Sequence, residues 1–208
     1  MTITIRIAKL ERAVDINRMP KVVDSEKYRK ELLRKCFDLF AKKGYASVTT
    51  RQISKTLGIS TGAMYHYFPS KQILFEQLVE EISWQDMRLF KSIIKGGTLP
   101  ERIDKLGKLL IKHEEHFSKQ AVIWKDFYQH NSLADINENP VFQEIDQRYQ
   151  QAMEKLLNLS DQNFARFVWT LINGILIEQI ESDDSFSFAD QINLLTQMLI
   201  AYCEKHRT

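Results

Sequence analysis

The sequence predicts an all-α protein: a small basic head of three helices, joined by one long helix to a larger acidic helical body. Three observations carry that expectation. The 208 residues include only 7 glycines and 4 prolines, and apolar residues recur at the three- and four-residue spacing of a helix face rather than the alternation of a strand. Charge is divided: residues 1–75 hold 15 Lys and Arg against 6 Asp and Glu, while residues 76–208 hold 14 against 21, so a net +2 conceals +9 on −7. Finally, Thr49–Lys71, TTRQISKTLGISTGAMYHYFPSK, meets the geometric demands of a helix-turn-helix almost residue by residue.

Composition sets the outer bounds. With 44% apolar and 27% charged residues the chain is an ordinary globular one, which excludes disorder throughout. No apolar run reaches the ~18 residues of a membrane helix and no signal-peptide pattern opens the chain, so no membrane association and a cytoplasmic location are expected. Cys36 and Cys203 lie far apart without CxxC spacing and read as reduced packing residues.

In chain order, residues 1–24 form an arm. Ile3, Ile5 and Ile7 alternate as in a strand, but a lone strand in a helical protein has nothing to pair with. Two readings stay open: a leader with Met19 as an alternative start, or a basic arm (Arg6, Lys9, Arg12, Arg18, Lys21) reaching nucleic-acid phosphates or the minor groove. Asp24 or Ser25 caps the first true helix, with Leu33, Cys36, Phe37 and Phe40 as its apolar stripe and Lys42, Lys43 and Gly44 as its stop. Thr49 and Gln52 form a capping-box pattern, with Thr50 a nearby alternative cap, and Ile53 and Leu57 lie four apart on one face of the helix that follows. Gly58 supplies the turn and Ile59 tucks beneath both helices. Ser60 caps a second short helix, Met64 and Phe68 turn inward, and Pro69 ends it. Thr61, Gly62, Ala63, Tyr65, His66 and Tyr67 are left outward. Small residues at a helix start let its backbone approach a surface, and phenol and imidazole groups donate to phosphates or base edges, the chemistry of a DNA recognition helix.

These residues resemble the DNA-binding signature of the TetR (tetracycline-repressor-like) family: Thr-x-x-x-Ile-x-x-x-Leu-Gly-Ile-Ser, small residues, then Tyr-x-x-Phe-x-x-Lys, met without a gap. Tyr67 stands where many members carry His. The resemblance covers Ser25 to Phe75; beyond it only length and helical character agree. It implies that Ser60, Thr61, Gly62, Ala63, Tyr65 and His66 meet DNA, the last five at base edges in the major groove, and that Thr49, Thr50, Arg51, Tyr67 and Lys71 hold phosphates. For Tyr67 the alternative is packing against the first helix. The head is thus expected over 25–71 and the regulatory and dimerisation body over 72–208.

Ser70 caps the long connecting helix, with Ile73, Leu74, Leu78, Val79 and Ile82 on one face, running past Trp84 and Phe90 toward Gly96 and Gly97. With no flexible linker, a tilt of this helix must carry the recognition helix with it. Five more helices are expected, at about 100–117, 118–131, 140–158, 161–181 and 187–205, with breaks at Ser118, Asn131–Pro140, Asn158–Asp161 and Ser182–Ser187. The last two look like a subunit interface. Phe164, Phe167, Val168, Leu171, Ile172, Ile175 and Leu176 form a stripe broader than one core face needs, Gly174 permits a close crossing, and Phe188, Ile192, Leu195, Leu199 and Tyr202 repeat the pattern; four such helices from two chains make a bundle. An intramolecular core is the alternative, and the resemblance, whose members generally dimerise through their last two long helices, favours the homodimer.

Large rings gather elsewhere. Trp84, Phe90, Phe117, Trp124, Phe127 and Tyr128 sit on the connecting helix and the two after it, and with the polar groups of His113, His116, Gln129 and Asn173 they suggest a largely apolar effector pocket. His113-Glu114-Glu115-His116 puts two histidines one turn apart but lacks the spacing of a zinc-protease motif, so a solvated face is the preferred reading and no metal is expected. No cofactor loop, nucleophile elbow or acid–base pair is recognisable, and no enzyme is expected. The favoured function is a transcriptional regulator, usually a repressor, that binds a palindromic operator in double-stranded DNA as a dimer and is released by an apolar or amphipathic small molecule. The alternative keeps the fold but replaces the small molecule with a protein partner, as in the family's nucleoid-occlusion proteins.

Overall fold

The computed structural model describes residues 25–157, 162–183 and 185–205; the N-terminal arm expected at 1–24 lies outside them. Among the described residues there are ten helices and no strand: α1 Ser25–Lys43, α2 Thr50–Leu57, α3 Thr61–Tyr67, α4 Lys71–Ile94, α5 Leu99–Lys112, α6 Glu114–His130, α7 Leu133–Glu138, α8 Pro140–Leu157, α9 Gln162–Glu181 and α10 Phe188–Lys205.

The head is closed by caps the sequence announces. Thr49 accepts from the Gln52 amide while the Gln52 side chain accepts from the Thr49 amide, a full capping box, and Gly58 ends α2 in the left-handed region at φ 70°. Ser60 accepts from the Ala63 amide at 3.1 Å and Ser70 from the Ile73 amide at 3.0 Å. These contacts satisfy amides that a helix start leaves without partners. α1 lies across the back: its Leu32, Cys36 and Phe40 are fully buried beside Ile53, Met64 and Phe68.

Head and body share one core. Phe75, on α4, stacks on Phe127 of α6 with centroids 4.3 Å apart and meets Phe40 at 5.8 Å, Tyr45 at 4.8 Å and Phe142 of α8 at 6.4 Å. Ion pairs flank it: Lys119 of α6 reaches Asp38 of α1 at 2.8 Å, and the buried Glu81 of α4 accepts from Arg34 of α1 at 3.3 Å.

Two helix boundaries differ from expectation. The break placed at Ser118 falls at His113, a single bent residue (φ −111°, ψ 25°) between α5 and α6, and Ser118 lies inside α6. The bend has no side-chain cap hydrogen bond, so capping chemistry could not locate it; it is set by α6 turning to pack Phe117 and Ile123 inward. The break at Asn131–Pro140 contains the short α7, anchored by buried Ile136 and continued by Asn139, whose amide donates to Glu76 of α4 at 2.7 Å.

The turn from α1 to α2 is held against the body. Gly44 has φ +75°, and a Cβ there would lie 2.6 Å from a carboxylate oxygen of Asp126 on α6, the same side chain that accepts from the Ala46 amide at 3.0 Å. Gly44→Ala should therefore combine about 1–2 kcal/mol of left-handed strain with displacement of Asp126. The expected outcome is a thermal midpoint several degrees lower, measured by circular dichroism, with the helical signal at low temperature unchanged.

Candidate DNA-binding surface and effector cavity

The α2–α3 pair presents the surface the sequence outlined. Thr61, Gly62, Tyr65 and His66 are exposed on α3 and Ala63 is partly so; Arg51 and Thr49 are exposed at the start of α2, with Thr50 half-buried. Met64 is buried beneath them, its sulfur 3.6 Å from the Ser54 hydroxyl, which also donates to the Thr50 carbonyl. A Cβ on Gly62 would meet only Ser60 Oγ, at 3.9 Å. Nothing among the described residues requires glycine there, and the surface over it is open. No acidic residue stands in the first turn of α2 or α3, which keeps both positive helix ends available to an anion.

Two residues expected at phosphates have partners within the chain. Tyr67 packs edge-on against Tyr28 of α1, centroids 5.6 Å apart, while its carbonyl accepts from Arg29 and Arg29 lies over Phe68. Lys71 donates to the carbonyls of Tyr45 (3.0 Å), Val48 (3.1 Å) and Ala46 (3.4 Å), with its ammonium 4.4 Å from the Tyr45 ring centroid. Burial there holds its pKa below the ordinary lysine value, with Asp126 opposing the shift. An ammonium has three donors, and all three clasp the turn that leads into α2. Sequence reasoning saw a cation near a phosphate path and could not see the carbonyls that the turn aims back at it.

The body holds a half-open cavity of about 560 Å³ between α5, α6, α8 and α9, within the range for small-molecule sites. Phe117, Trp124, Tyr128 and Asn173 line it as expected, together with Gln129. The remaining expected residues lie elsewhere. Trp84 and Phe90 border a separate groove between α4 and α8, Phe127 is buried in the head–body core, and His113 forms the α5–α6 bend. His116 turns to α4, its Nε2 2.7 Å from Asp86 Oδ1. Among the described residues no group of acidic, His and Cys side chains is arranged to hold a metal. Burial pushes the Cys36 thiol up to about 12, so it stays protonated and inert, as a packing residue should.

The sequence missed the polar part of the wall. Asp86, fully buried on α4, accepts from Tyr149 of α8, from Gln120 Nε2 at 3.1 Å, and pairs with His116. Gln120 also donates to the Tyr149 hydroxyl at 2.8 Å, and Tyr149 stacks on Trp169 of α9 at 4.8 Å. Burial first, and Asp86 second, push the Tyr149 phenol well above its ordinary pKa, so it remains a donor. Gln120, Tyr149 and Trp169 all line the cavity. A signal was present: Asp86 stands four residues after Ile82 and four before Phe90 on the buried face of α4.

The expected interface stripe divides in two. Val168, Ile192, Leu195 and Leu199 are buried within the single chain, a correction that period alone could not supply, because a helix apolar all round shows no preferred side. The outward face comprises Phe167, 55% exposed, with Leu194 at 53%, Met198 at 60% and Tyr202 at 47%; Phe164, Leu171 and Ile175 are partly covered, and Phe164 stacks on Tyr202 at 4.7 Å. A Cβ on Gly174 would meet nothing within 4 Å.

These features define a helix-turn-helix protein whose DNA-binding head is built into an α-helical body. Residues 32–78 match the family described as bacterial regulatory proteins, tetR family. Among its relatives, the HTH-type transcriptional repressor KstR2 of Mycolicibacterium smegmatis is 32% identical over 100 residues, 47% of this chain and 48% of that protein. The nucleoid occlusion factor SlmA of Glaesserella parasuis is 42% identical over 65 residues, 31% of this chain and 32% of that protein. The chain thus spans about half of the first and a third of the second. The fold extends further: a transcriptional regulator FadR from Bacillus subtilis, in complex with stearoyl-CoA, superposes with TM-score 0.65 at 18% identity, over 82% of this chain and 97% of that one. The family is one of regulators, not of enzymes. No helix among the described residues is long and apolar enough to cross a membrane.

Tyr149→Phe should remove one donor to the buried Asp86 carboxylate and cost about 1–3 kcal/mol. The expected result is a lowered denaturant midpoint with unchanged slope, and a coupling in a double-mutant cycle with Gln120→Ala, whose amide serves the same two partners.

Proposed function

We propose that the chain is a ligand-responsive repressor that binds a palindromic operator as a homodimer and is released when a small apolar or amphipathic molecule occupies the cavity of the body. One observation carries the reading: Trp124, in the cavity wall, meets Phe75 on the first turns of α4 edge-on at 6.0 Å, and Phe75 lies in the core of the head. A ligand that shifts Trp124, or takes the hydrogen bonds of Gln120 or Tyr149 from Asp86, acts on the helix that begins three residues after Phe68 at the end of α3. Ligand binding must favour the DNA-incompetent arrangement about 10⁴-fold for a switch from 1:99 to 99:1.

The effector's character follows from the lining. Rings and aliphatic side chains dominate; of the charged lining groups, Lys125 is paired with Glu181 and Asp146 is acidic, so a strongly anionic group finds no free cation inside. Stearoyl-CoA, the ligand of the FadR neighbour, belongs among the compounds to screen for its apolar chain. A protein partner in place of a small molecule is the weaker reading: the SlmA match spans only 65 residues of this chain, and the body offers a cavity of small-molecule size.

On the DNA side, Thr61, Gly62, Ala63, Tyr65 and His66 are assigned to base edges, and Thr49, Thr50 and Arg51 to phosphates. One helix of two turns reads only a few base pairs, so two heads on a two-fold axis, brought together by the outward face of α9 and α10, supply specificity. Ala63→Glu should abolish operator binding in gel-shift titrations while leaving the melting temperature unchanged; normal binding by that variant would show that α3 does not read DNA. Leu171→Arg, far from the head, should yield a monomer by light scattering and weaken operator binding, and a monomer that still binds the operator at full strength would exclude the dimer. In the cavity, Ala121→Phe should abolish the response to any compound that both raises the melting temperature and weakens operator binding of the wild type.

A further inference from the structure

A second concavity lies on the other side of Tyr149 from the cavity just described. It is a groove of about 620 Å³ between α4 and α8, walled off by Phe90, which meets Phe117 and Tyr149 with centroids 6.4 Å away in each case. Its floor is apolar, made by Trp84, Met87, Phe90 and Ile94 of α4 with Ala152 of α8, and Trp84 is 47% exposed. Its rim is basic on both banks: Lys91 of α4 and Lys95 at the C-cap of that helix face Arg148 and Lys155, two turns apart on α8.

The charge pattern is out of place in this part of the chain. Residues 76–208 carry more acidic than basic side chains, 21 against 14, yet four of the 14 cations border this one groove, where Glu144 is the single lining carboxylate. No ion pair among the described residues engages Lys91, Lys95 or Lys155. Arg148 is held differently: its guanidinium lies over the Trp84 ring, 3.9 Å from the centroid, and donates to the Ser83 hydroxyl. It therefore ties α8 to α4 without a carboxylate. Lysine stems cover apolar surface while their ammonium groups stay in water, so the groove joins an apolar trough to an unneutralised cationic border.

From this complementarity we propose that the α4–α8 groove binds a single-chain anionic amphiphile, its hydrocarbon chain along Trp84, Met87 and Ile94 and its anionic head between the lysines of the two banks and Arg148. A neutral chain would gain only the trough, and a cationic one would be repelled by the rim. The site is separate from the effector cavity and independent of the reading given for it, since the two are lined by different side chains. An anion that draws Arg148 from Ser83 and Trp84 would also loosen the tie between α8 and the helix that carries the head.

The test uses the full chain with dodecanoate below its micellar concentration as probe, and dodecanol and dodecyltrimethylammonium as neutral and cationic comparators, read by titration calorimetry and tryptophan fluorescence. Lys91→Glu/Lys95→Glu and Lys155→Glu attack the rim from opposite banks at exposed positions, and Ala121→Phe fills the other cavity. Wild type should bind dodecanoate more tightly than either comparator, the affinity should fall with added salt, and each rim variant should lose about tenfold or more, as removal of charge-assisted contacts does. Ala121→Phe should leave dodecanoate binding unchanged, and Trp84→Phe should remove the fluorescence response. Equal affinity in wild type and both rim variants, absence of dodecanoate binding to wild type, or loss of binding in Ala121→Phe alone would each overturn the proposal; the last would transfer the amphiphile to the effector cavity, whose own test, operator release, is scored separately.

Discussion

The structure depends on a continuous file of aromatic rings that runs from the back of the DNA-binding head into the cavity wall. Phe40 and Tyr45 in the head meet Phe75; Phe75 stacks on Phe127; Phe127 and Trp124 both pack edge-on against Phe142, at 5.3 Å in each case. Each such pair adds about 0.5–1.5 kcal/mol beyond its buried area, and together they leave no plane along which head and body can slide freely. Interiors packed at crystal density move in discrete rearrangements rather than by continuous bending. On the proposed function, a ligand that shifts Trp124 would be met by repacking around Phe75, with α4 carrying the change to α3.

Within that apolar setting two carboxylates on α4 are buried, and they do different work. Glu81 is paired with Arg34 of the head at 3.3 Å and with Arg88 of its own helix at 3.6 Å, both exposed. Asp86, one and a half turns further along, faces the body and has uncharged donors in Tyr149 and Gln120 with His116 at its other oxygen. A buried charge of this kind is costly to strand and cheap to keep only while every donor stays in place. Two of its donors also form the polar wall of the cavity. On the proposed function, occupancy of the cavity would thus act on a residue of the helix that enters the head.

Most of the head was legible because its determinants are local. Thr49 with Gln52, Gly58, Ser60 and Ser70 specify caps and a turn within three or four residues of sequence, and their hydrogen bonds are all present. The body was legible only as a set of helices. His113 bends the chain with no capping side chain to announce it, and Leu133–Glu138 is too short for its periodicity to stand out from a loop. The cavity was half-read for a related reason: Phe117, Trp124 and Tyr128 sit on one surface of α6, but Trp84 and Phe90 point from α4 to its α8 side, and no sequence spacing says which of two neighbours a long helix will turn to. Lys71 shows what charge alone leaves unread: its ammonium donates to three carbonyls of the turn that leads into α2.

The position of α9 connects these parts. One side of it, with Trp169, Ile172, Asn173 and Leu176, lines the cavity of the body, while the other carries Phe167, Leu171 and the open surface over Gly174. On the proposed dimer, a ligand in one protomer would be separated from the partner by the thickness of a single helix. α10 is fixed in turn against α5 where Gly107 lets Thr196 come close, a contact that any added Cβ would obstruct. The inner faces of α9 and α10 are thus committed to the protomer's own core and cavity, and the proposed dimer would use their outer faces. That division accounts for two helices that are apolar on more than one side: about half of the apolar residues in their stripes pack within the chain itself.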